Sequence, residues 1–272
     1  MISKRILTMQ DLSCVGQCSL SVVLPVLSAY GVETCVLPTA ILSNHTAFDK
    51  WSCLDLAFEM DNILKAWREN NFKFDAFLGG YLGSAAIADV AKICFKDFLN
   101  EGAKIIIDPA FADNGKLYAA FDSGYVTVME DLIKSADIIL PNLTEACFLT
   151  GTEYQPNAPA GFTKEIVRRL AECTSAAIVL TGIEHGGEIG ELVYSSGEFS
   201  EVWAKKLPRR FHGTGDLFAA AFTALYLQGS GLMEACEAAG NLVAASIDAT
   251  DMSHIYGVNF ECVLNKAREK AN

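Results

Sequence analysis

Gly213-Thr214-Gly215-Asp216 is the stretch of this sequence best suited to chemistry on a phosphate. Two glycines let the backbone turn tightly and approach a ligand with no Cβ in the way. The apolar run from Leu217 to Leu227 predicts a helix buried on most sides, with its free N–H groups and positive dipole end directed back at the glycines. Such a turn is an anion hole, and an Asp in the first turn can accept a proton from an attacking hydroxyl. The same four residues also suit a plain glycine turn with Thr214 or Asp216 capping the helix. The tetrapeptide by itself does not separate the two.

Other nucleotide loops are missing. There is no G-x-x-x-x-G-K-[ST], no complete G-x-G-x-x-G and no G-x-S-x-G, which removes the P-loop and the nucleophile elbow and disfavours a dinucleotide oxidoreductase. The formal net charge of −12 argues against nucleic acid or an anionic membrane as partner. A nucleotide remains admissible, because it needs only local amides, a magnesium ion or a few bases. Nine cysteines lie singly between Cys14 and Cys262 with no C-x-x-C, and the four histidines show no H-E-x-x-H spacing. That pattern points to a reducing compartment and away from structural zinc.

The elements that must position the tetrapeptide follow from periodicity. Short β-rich runs at Arg5 to Met9, Thr34 to Leu37, Ala76 to Leu78, Lys104 to Ile107, Ile138 to Leu140 and Ala177 to Leu180 alternate with amphipathic stretches, which predicts a mainly parallel sheet with helices on both faces. Ile87, Val90, Ala91, Cys94 and Phe98 form one helical stripe behind Ser84 as N-cap, and Val126, Met129, Leu132 and Ile133 form another. Leu20, Val23, Leu24 and Leu27 form a third, in which Pro25 must sit in a first turn or kink the helix. Gly186 to Ala204 reads as a β-hairpin or meander at the sheet edge. With 51% hydrophobic and 20% charged residues the chain is globular, and residues 1–272 are expected to form one domain. The N-terminal apolar run breaks too early for a signal peptide, and no stretch reaches the ~20 apolar residues of a membrane span, so a soluble, cytoplasmic protein is expected.

In chain order, Gln10, Ser43-Asn44-His45-Thr46, Gly80-Tyr81-Leu82-Gly83-Ser84, Asp108-Pro109, Ala136-Asp137-Ile138-Ile139, Pro141-Asn142 with Glu145, and Gly213 to Ala219 resemble the pyridoxal kinase family of the ribokinase-like superfamily. Seven blocks in one order are far more specific than any single block. The resemblance implies a ribokinase-like three-layer α/β/α fold. It also implies ATP-dependent phosphorylation of the 5'-hydroxymethyl group of pyridoxal, pyridoxine or pyridoxamine in vitamin B6 salvage, with ATP and Mg2+ as cofactors and a homodimer as the assembly. Position by position, it implies Asp216 as the base and the amides of Gly213, Thr214 and Gly215 on the transferred phosphoryl group. Asp108, Asn142, Glu145 and Thr181 fall on the ATP side, with Asp113 and Glu145 as magnesium-associated acids. His45, Thr46 and Tyr81 fall in the substrate pocket, Tyr81 beside the planar ring. Read without the resemblance, Asp108-Pro109 also suits a strand-ending turn, Asn142 with Glu145 a helix-start cap, His45 a loop histidine and Tyr81 a core aromatic.

Two positions depart from the family's pattern. Asp11 stands where the family has a serine that meets the pyridine ring, and Leu140 where it has a threonine near the cation site, which bears on any monovalent-cation requirement. At Asp11 a carboxylate is expected to hold a more cationic substrate, through a ring nitrogen or an amine, by a charge-assisted hydrogen bond. Adenine contacts are expected from Leu207 to Arg209. The rivals are a hydroxymethylpyrimidine or dual-specificity kinase, a non-catalytic vitamer-binding protein, and an oxidoreductase on a similar sheet.

Overall fold

The structure, a computed structural model, describes residues 4–156 and 158–264. Its strands are β1 (Arg5–Ser13), β2 (Glu33–Leu42), β3 (Cys53–Asp55), β4 (Phe74–Gly79), β5 (Leu99–Ile107), β6 (Ala112–Asp113), β7 (Lys116–Leu117), β8 (Ile138–Ile139), β9 (Ala177–His185), β10 (Glu188–Ser195) and β11 (Glu198–Lys205). Its helices are α1 (Leu20–Ala29), α2 (Met60–Glu69), α3 (Ala85–Asp97), α4 (Ser123–Leu132), α5 (Leu143–Leu149), α6 (Ala160–Cys173), α7 (Thr214–Leu227) and α8 (Leu232–Ala249).

Buried side chains along the strands alternate between two sides. Ile6, Leu78, Ile106, Ile138 and Val179 enter one apolar cluster, while Leu7, Phe77, Ile107, Ile139 and Ile178 enter another. Successive strand residues face opposite sides of a sheet, so strands apolar at every position must be covered on both. α1, α7 and α8 supply the cover for the first cluster, and α2 to α6 for the second.

Among the described residues the sheet order is β11-β10-β9-β8-β5-β4-β1-β2-β3, and β6 pairs only with β7. Pairing is parallel from β9 through to β2 and antiparallel at both ends, where β9, β10 and β11 form the meander expected at the edge and β3 returns along β2. The expected strands fall within β1, β2, β4, β5 and β9, and that at Ile138 to Leu140 is realised as β8, which stops one residue earlier at Ile139. Ser84 caps α3 by accepting the Ile87 N–H at 3.3 Å. Pro25 is the sixth residue of α1, so the first-turn alternative does not hold. α7 buries Leu217 to Ala224 without a break, which no one-sided helix would do. Among the described residues no helix is long and apolar enough to cross a membrane.

Candidate active site

Open α/β sheets bind ligands beyond the carboxyl ends of their strands. Here Asp11 lies near the end of β1, Tyr81 just past β4, Asp108 past β5, Asn142 past β8 and Thr181 within β9. A cavity of about 800 Å3 opens at that edge, lined by Asp108, Asp113, Asn142, Glu145, Thr181, Gly213, Thr214, Gly215 and Asp216. All the residues expected on the phosphate side thus share one cleft. Asp11, His45, Thr46 and Tyr81 are not part of its lining.

The start of α7 decides between anion hole and simple cap. Gly213 is the N-cap, at φ 82, and no side chain caps the helix. The Thr214 hydroxyl instead donates back to the Phe211 carbonyl at 3.3 Å. The capping alternative therefore fails, and the first-turn N–H groups of Thr214, Gly215 and Asp216, which have no intrahelical acceptor, lie on the cleft wall. A Cβ at Gly213 would stand 2.0 Å from the Gln17 carbonyl oxygen. Gln17 is itself pinned, its N–H donating to Tyr256 O at 2.6 Å, and the Val258 N–H donates to His212 O at 3.0 Å.

Asp216 is half-buried, and its carboxyl is pushed up to about 6 by burial and by the negative charge of Asp11, against the Ser19 backbone N–H that favours the ionised form. Asp11 is 5% exposed and is raised by burial, opposed by hydroxyls that include Ser19, whose Oγ donates to Asp11 Oδ1 at 2.5 Å. The β1–β2 register slips between Gln10↔Pro38 and Leu12↔Ile41, so two β2 residues face Asp11, an irregularity of the kind that re-aims a side chain.

On the acceptor side, burial and then the Asp11 charge push the Tyr81 hydroxyl up to about 12, and its ring lies 5.3 Å from that of Phe121. His45 is 4% exposed, with Nδ1 accepting the Ala47 N–H at 3.2 Å and its ring 5.2 Å from His212, a cleft residue. Burial, then the nearby His212, holds His45 below its ordinary value, which favours the neutral ring. A Cβ at Gly16 would meet that ring at 2.0 Å. Thr46 follows it, exposed.

Asn142 and Glu145 form a capping box at the start of α5. Glu145 Oε2 accepts the Asn142 N–H at 2.9 Å, Oε1 accepts the Phe111 N–H at 3.0 Å, and Asn142 Nδ2 donates to Ala112 O at 2.8 Å. The helix-start reading of this pair is therefore realised, on the cleft wall. Burial pushes Glu145 up to about 7 in spite of the amides it accepts. Asp108 is held well above the usual carboxylate range by burial and by the charges of Glu145 and Asp216. Asp113 is exposed and accepts both the backbone and side-chain N–H groups of Asn114 at 2.8 Å. Among the described residues no three His, Cys, Asp or Glu side chains form a ready-made metal cage. Hard oxygens that repel one another across a cleft nevertheless fit magnesium, which takes one or two carboxylates and completes its shell with phosphate and water. Thr181 donates its N–H to Pro141 O at 2.9 Å and bridges Asn142, which ties β9 to the same wall. Leu140, also on the cleft, is buried and offers no side-chain oxygen to a cation.

Leu207 and Arg209 line the cleft as expected, and they come with Lys205, Lys206 and Arg210, which were not anticipated. Lys206 and Arg210 both pair with Glu184, at 2.5 and 2.8 Å, and Arg209 donates to Thr250 O at 3.2 Å. Four basic residues within six positions of so acidic a chain were the available signal. Ser19 was missed as well, and a lone serine before a helix carries no signal for what it does here.

Parallel strands that deliver carboxylates to a glycine-capped helix start define a protein that handles phosphate groups. A family profile described as phosphomethylpyrimidine kinase matches residues 24–259, and the chain belongs to that family. A Bacteroides thetaiotaomicron protein assigned as a phosphomethylpyrimidine kinase, in a crystal with pyridoxal, superposes with a TM-score of 0.92 at 34% identity, covering 98% of this chain and 96% of that one. The pyridoxal kinase of Lactobacillus plantarum gives a TM-score of 0.91 at 31% identity over 99% of each chain. The Haemophilus influenzae pyridoxal kinase PdxY is 29% identical over 238 residues, 81% of this chain and 80% of that protein. The resemblance to pyridoxal kinases and the ribokinase-like architecture read from the sequence are both borne out.

Proposed function

We propose that the protein transfers the γ-phosphoryl group of ATP to the 5'-hydroxymethyl group of a vitamin B6 vitamer. The observation that carries this reading is that Asp216 and the free amides at the start of α7 share a cleft wall with Asp108 and Glu145. Asp216 takes the proton of the hydroxymethyl group, and the amides of Gly213, Thr214 and Gly215 stabilise charge on the phosphoryl group in flight. Asp108, Asn142 and Thr181 face ATP. Asp113 and Glu145 would hold magnesium, which supplies neutralising charge on the phosphates. Asp11, His45, Thr46 and Tyr81 bind the acceptor, which would be a vitamer of the kind present in the crystal of the Bacteroides relative. With Leu140 apolar, a monovalent cation would have to rely on other oxygens.

Residues 1–272 are read as one kinase domain working in the cytoplasm, in keeping with nine free cysteines. A homodimer is proposed to form around the β2–β3 edge, where Val36, Ile41, Trp51, Leu54 and Phe58 are each exposed. Sedimentation of the wild type against Phe58→Glu tests this, and a wild-type monomer would refute it.

The family description favours one second reading, phosphorylation of hydroxymethylpyrimidine, a flat nitrogen heterocycle with the same reacting group. A coupled ADP-release assay across pyridoxal, pyridoxine, pyridoxamine and hydroxymethylpyrimidine separates the two. Turnover with the pyrimidine alone would transfer the assignment, and no ADP with any of them would refute the kinase reading.

A further inference from the structure

Glu191 is a carboxylate of the cleft to which the proposed reaction gives no task. It lies on β10, where the β9–β10 register passes from Gly190↔Ile183 to Leu192↔Leu180, so that Thr181 and Gly182 of β9 stand opposite this one residue. Gly182 sits at φ 65, and a bulge of this kind re-aims the side chains around it. Glu191 is half-buried, and its two carboxylate oxygens lie 3.6 and 4.0 Å from where a Cβ would stand on Gly240 of α8. Its side chain makes no hydrogen bond or ion pair among the described residues, whereas Glu184 on the neighbouring strand takes both Lys206 and Arg210. Burial with nothing to offset it pushes the Glu191 carboxyl up to about 7. An unmatched polar group in a cleft wall is suited to a ligand that completes its hydrogen bonding.

The surroundings say which ligand. Ile189 lies two residues before Glu191 on the same face of β10, Val202 stands opposite it on β11, and Val243, Ala244 and Ile247 of α8 line the same cavity. Phe218 and Ala219, about one turn along α7 from the phosphate turn, also line it and lead the wall toward α8. A nucleotide with its phosphates at the start of α7 therefore has an apolar slot for its base, with one carboxyl set into it. We infer that Glu191 is a specificity-determining residue whose carboxyl accepts a hydrogen bond from the 6-amino group of adenine, so that the cleft takes ATP in preference to a purine nucleotide with an oxygen at that position. The inference rests on the reading of this cleft as the nucleotide site. Leu207 and Arg209, expected beside the base, line the same cavity. An amine hydrogen suits the carboxyl in either charge state, because one oxygen always remains an acceptor. A 6-oxo group offers no hydrogen and is repelled by the ionised form. Apolar walls around the carboxyl match the faces of a ring better than the hydroxyl edge of a ribose.

The test is calorimetric titration of ATP and ITP into the wild type, Glu191→Leu and Glu191→Gln, with ADP release followed in the same preparations. The wild type should bind ATP about tenfold more tightly than ITP, the size of one hydrogen bond to a buried acid. Glu191→Leu should weaken ATP about tenfold and leave ITP within about twofold, which erases the preference. Glu191→Gln should retain it, because the amide carbonyl still accepts from the amine. Glu191→Ala carries the test if the leucine variant does not fold. A wild type that binds ATP and ITP alike, or a leucine variant that weakens both by the same factor, overturns the inference and leaves the kinase reading standing. A leucine variant that weakens ATP but neither 2'-deoxy-ATP nor 3'-deoxy-ATP puts the carboxyl on the ribose and overturns the inference as well. A preference for ATP that depends on Glu191, in a protein that releases no ADP with any of the four acceptors, upholds the inference and overturns the kinase reading. No nucleotide bound by the wild type overturns both.

Discussion

Glu145 and Asn142 hold each other at the start of α5: the carboxylate accepts the Asn142 N–H at 2.9 Å, and the Asn142 side chain accepts the Glu145 N–H at 3.0 Å. The second Glu145 oxygen accepts the Phe111 N–H at 3.0 Å, so one buried acid fastens the helix to the chain leaving β5. Glu145→Gln would turn an NH2 group toward one of these donors. The expected loss of stability is about 1–3 kcal/mol by urea denaturation. If Glu145 also serves magnesium, the Mg2+ concentration for half-maximal rate rises in the same variant; an unchanged Mg2+ requirement would confine Glu145 to the cap.

The charge state of Asp216 sets the acid side of the reaction. Its carboxyl is pushed up to about 6, and only the ionised form accepts a proton. The rate should therefore be level above that value and fall about tenfold per pH unit below it. Asp216→Asn should lower kcat by roughly 10²–10⁴ while calorimetry still finds ATP bound. Near-normal turnover in that variant would remove Asp216 as the base.

The strands and the phosphate cleft were legible because both rest on local pattern. Runs such as Ile105-Ile106-Ile107 and Ile138-Ile139 read as strands buried on two faces, and the glycines before an apolar helix gained their meaning from their order behind the other blocks. The capping box was legible too, as an alternative to metal binding, and the structure places it on the cleft wall. The acceptor side was less so, because its geometry is made by distant contacts. Ser19 reaches Asp11 through a backbone angle that no residue type announces, and His45 owes its position to the missing side chain of Gly16. The basic cluster from Lys205 to Arg210 was visible, but its pairing with Glu184 depends on the sheet bringing β9 beside it.

The crowded carboxylates should make the ligand-free protein more stable as the pH falls from 8 to 6.5. Glu145 is raised to about 7 and Asp108 well above its usual range, so the native state binds protons in this window that the unfolded chain does not. Stability then declines as pH rises through the native values. Asp108→Asn removes one repelling charge and should raise the Tm at pH 8 by roughly 2–6 °C, corresponding to about 1–2 kcal/mol, with a loss of activity. His45, held low, opposes the trend below its ordinary value, so scanning calorimetry should show the gain flattening under pH 6.5. A Tm that climbs steadily from pH 6.5 to 8 would contradict the repulsion argument.

The two glycines of the α7 turn should fail in opposite ways. Gly213 sits at φ 82 with the Gln17 carbonyl oxygen 2.0 Å from where a Cβ would go, and backbone cannot swing aside as a side chain can. Gly213→Ala must displace either Gln17 or the helix start, and a loss of about 2–4 kcal/mol is expected along with most of the activity. Gly215 has ordinary backbone angles and nothing within 4 Å of a Cβ, because that space is the cleft. Gly215→Ala should therefore leave the empty protein as stable as before, or up to about 1 kcal/mol more so from helix propensity. The added methyl group would instead meet the phosphates and raise the ATP KM. Thermal melts with and without ATP separate the cases: Gly213→Ala lowers the Tm in both, while Gly215→Ala loses only the increment that ATP adds. Equal behaviour of the two variants would mean that the turn is scaffold at both positions and that phosphate binds elsewhere.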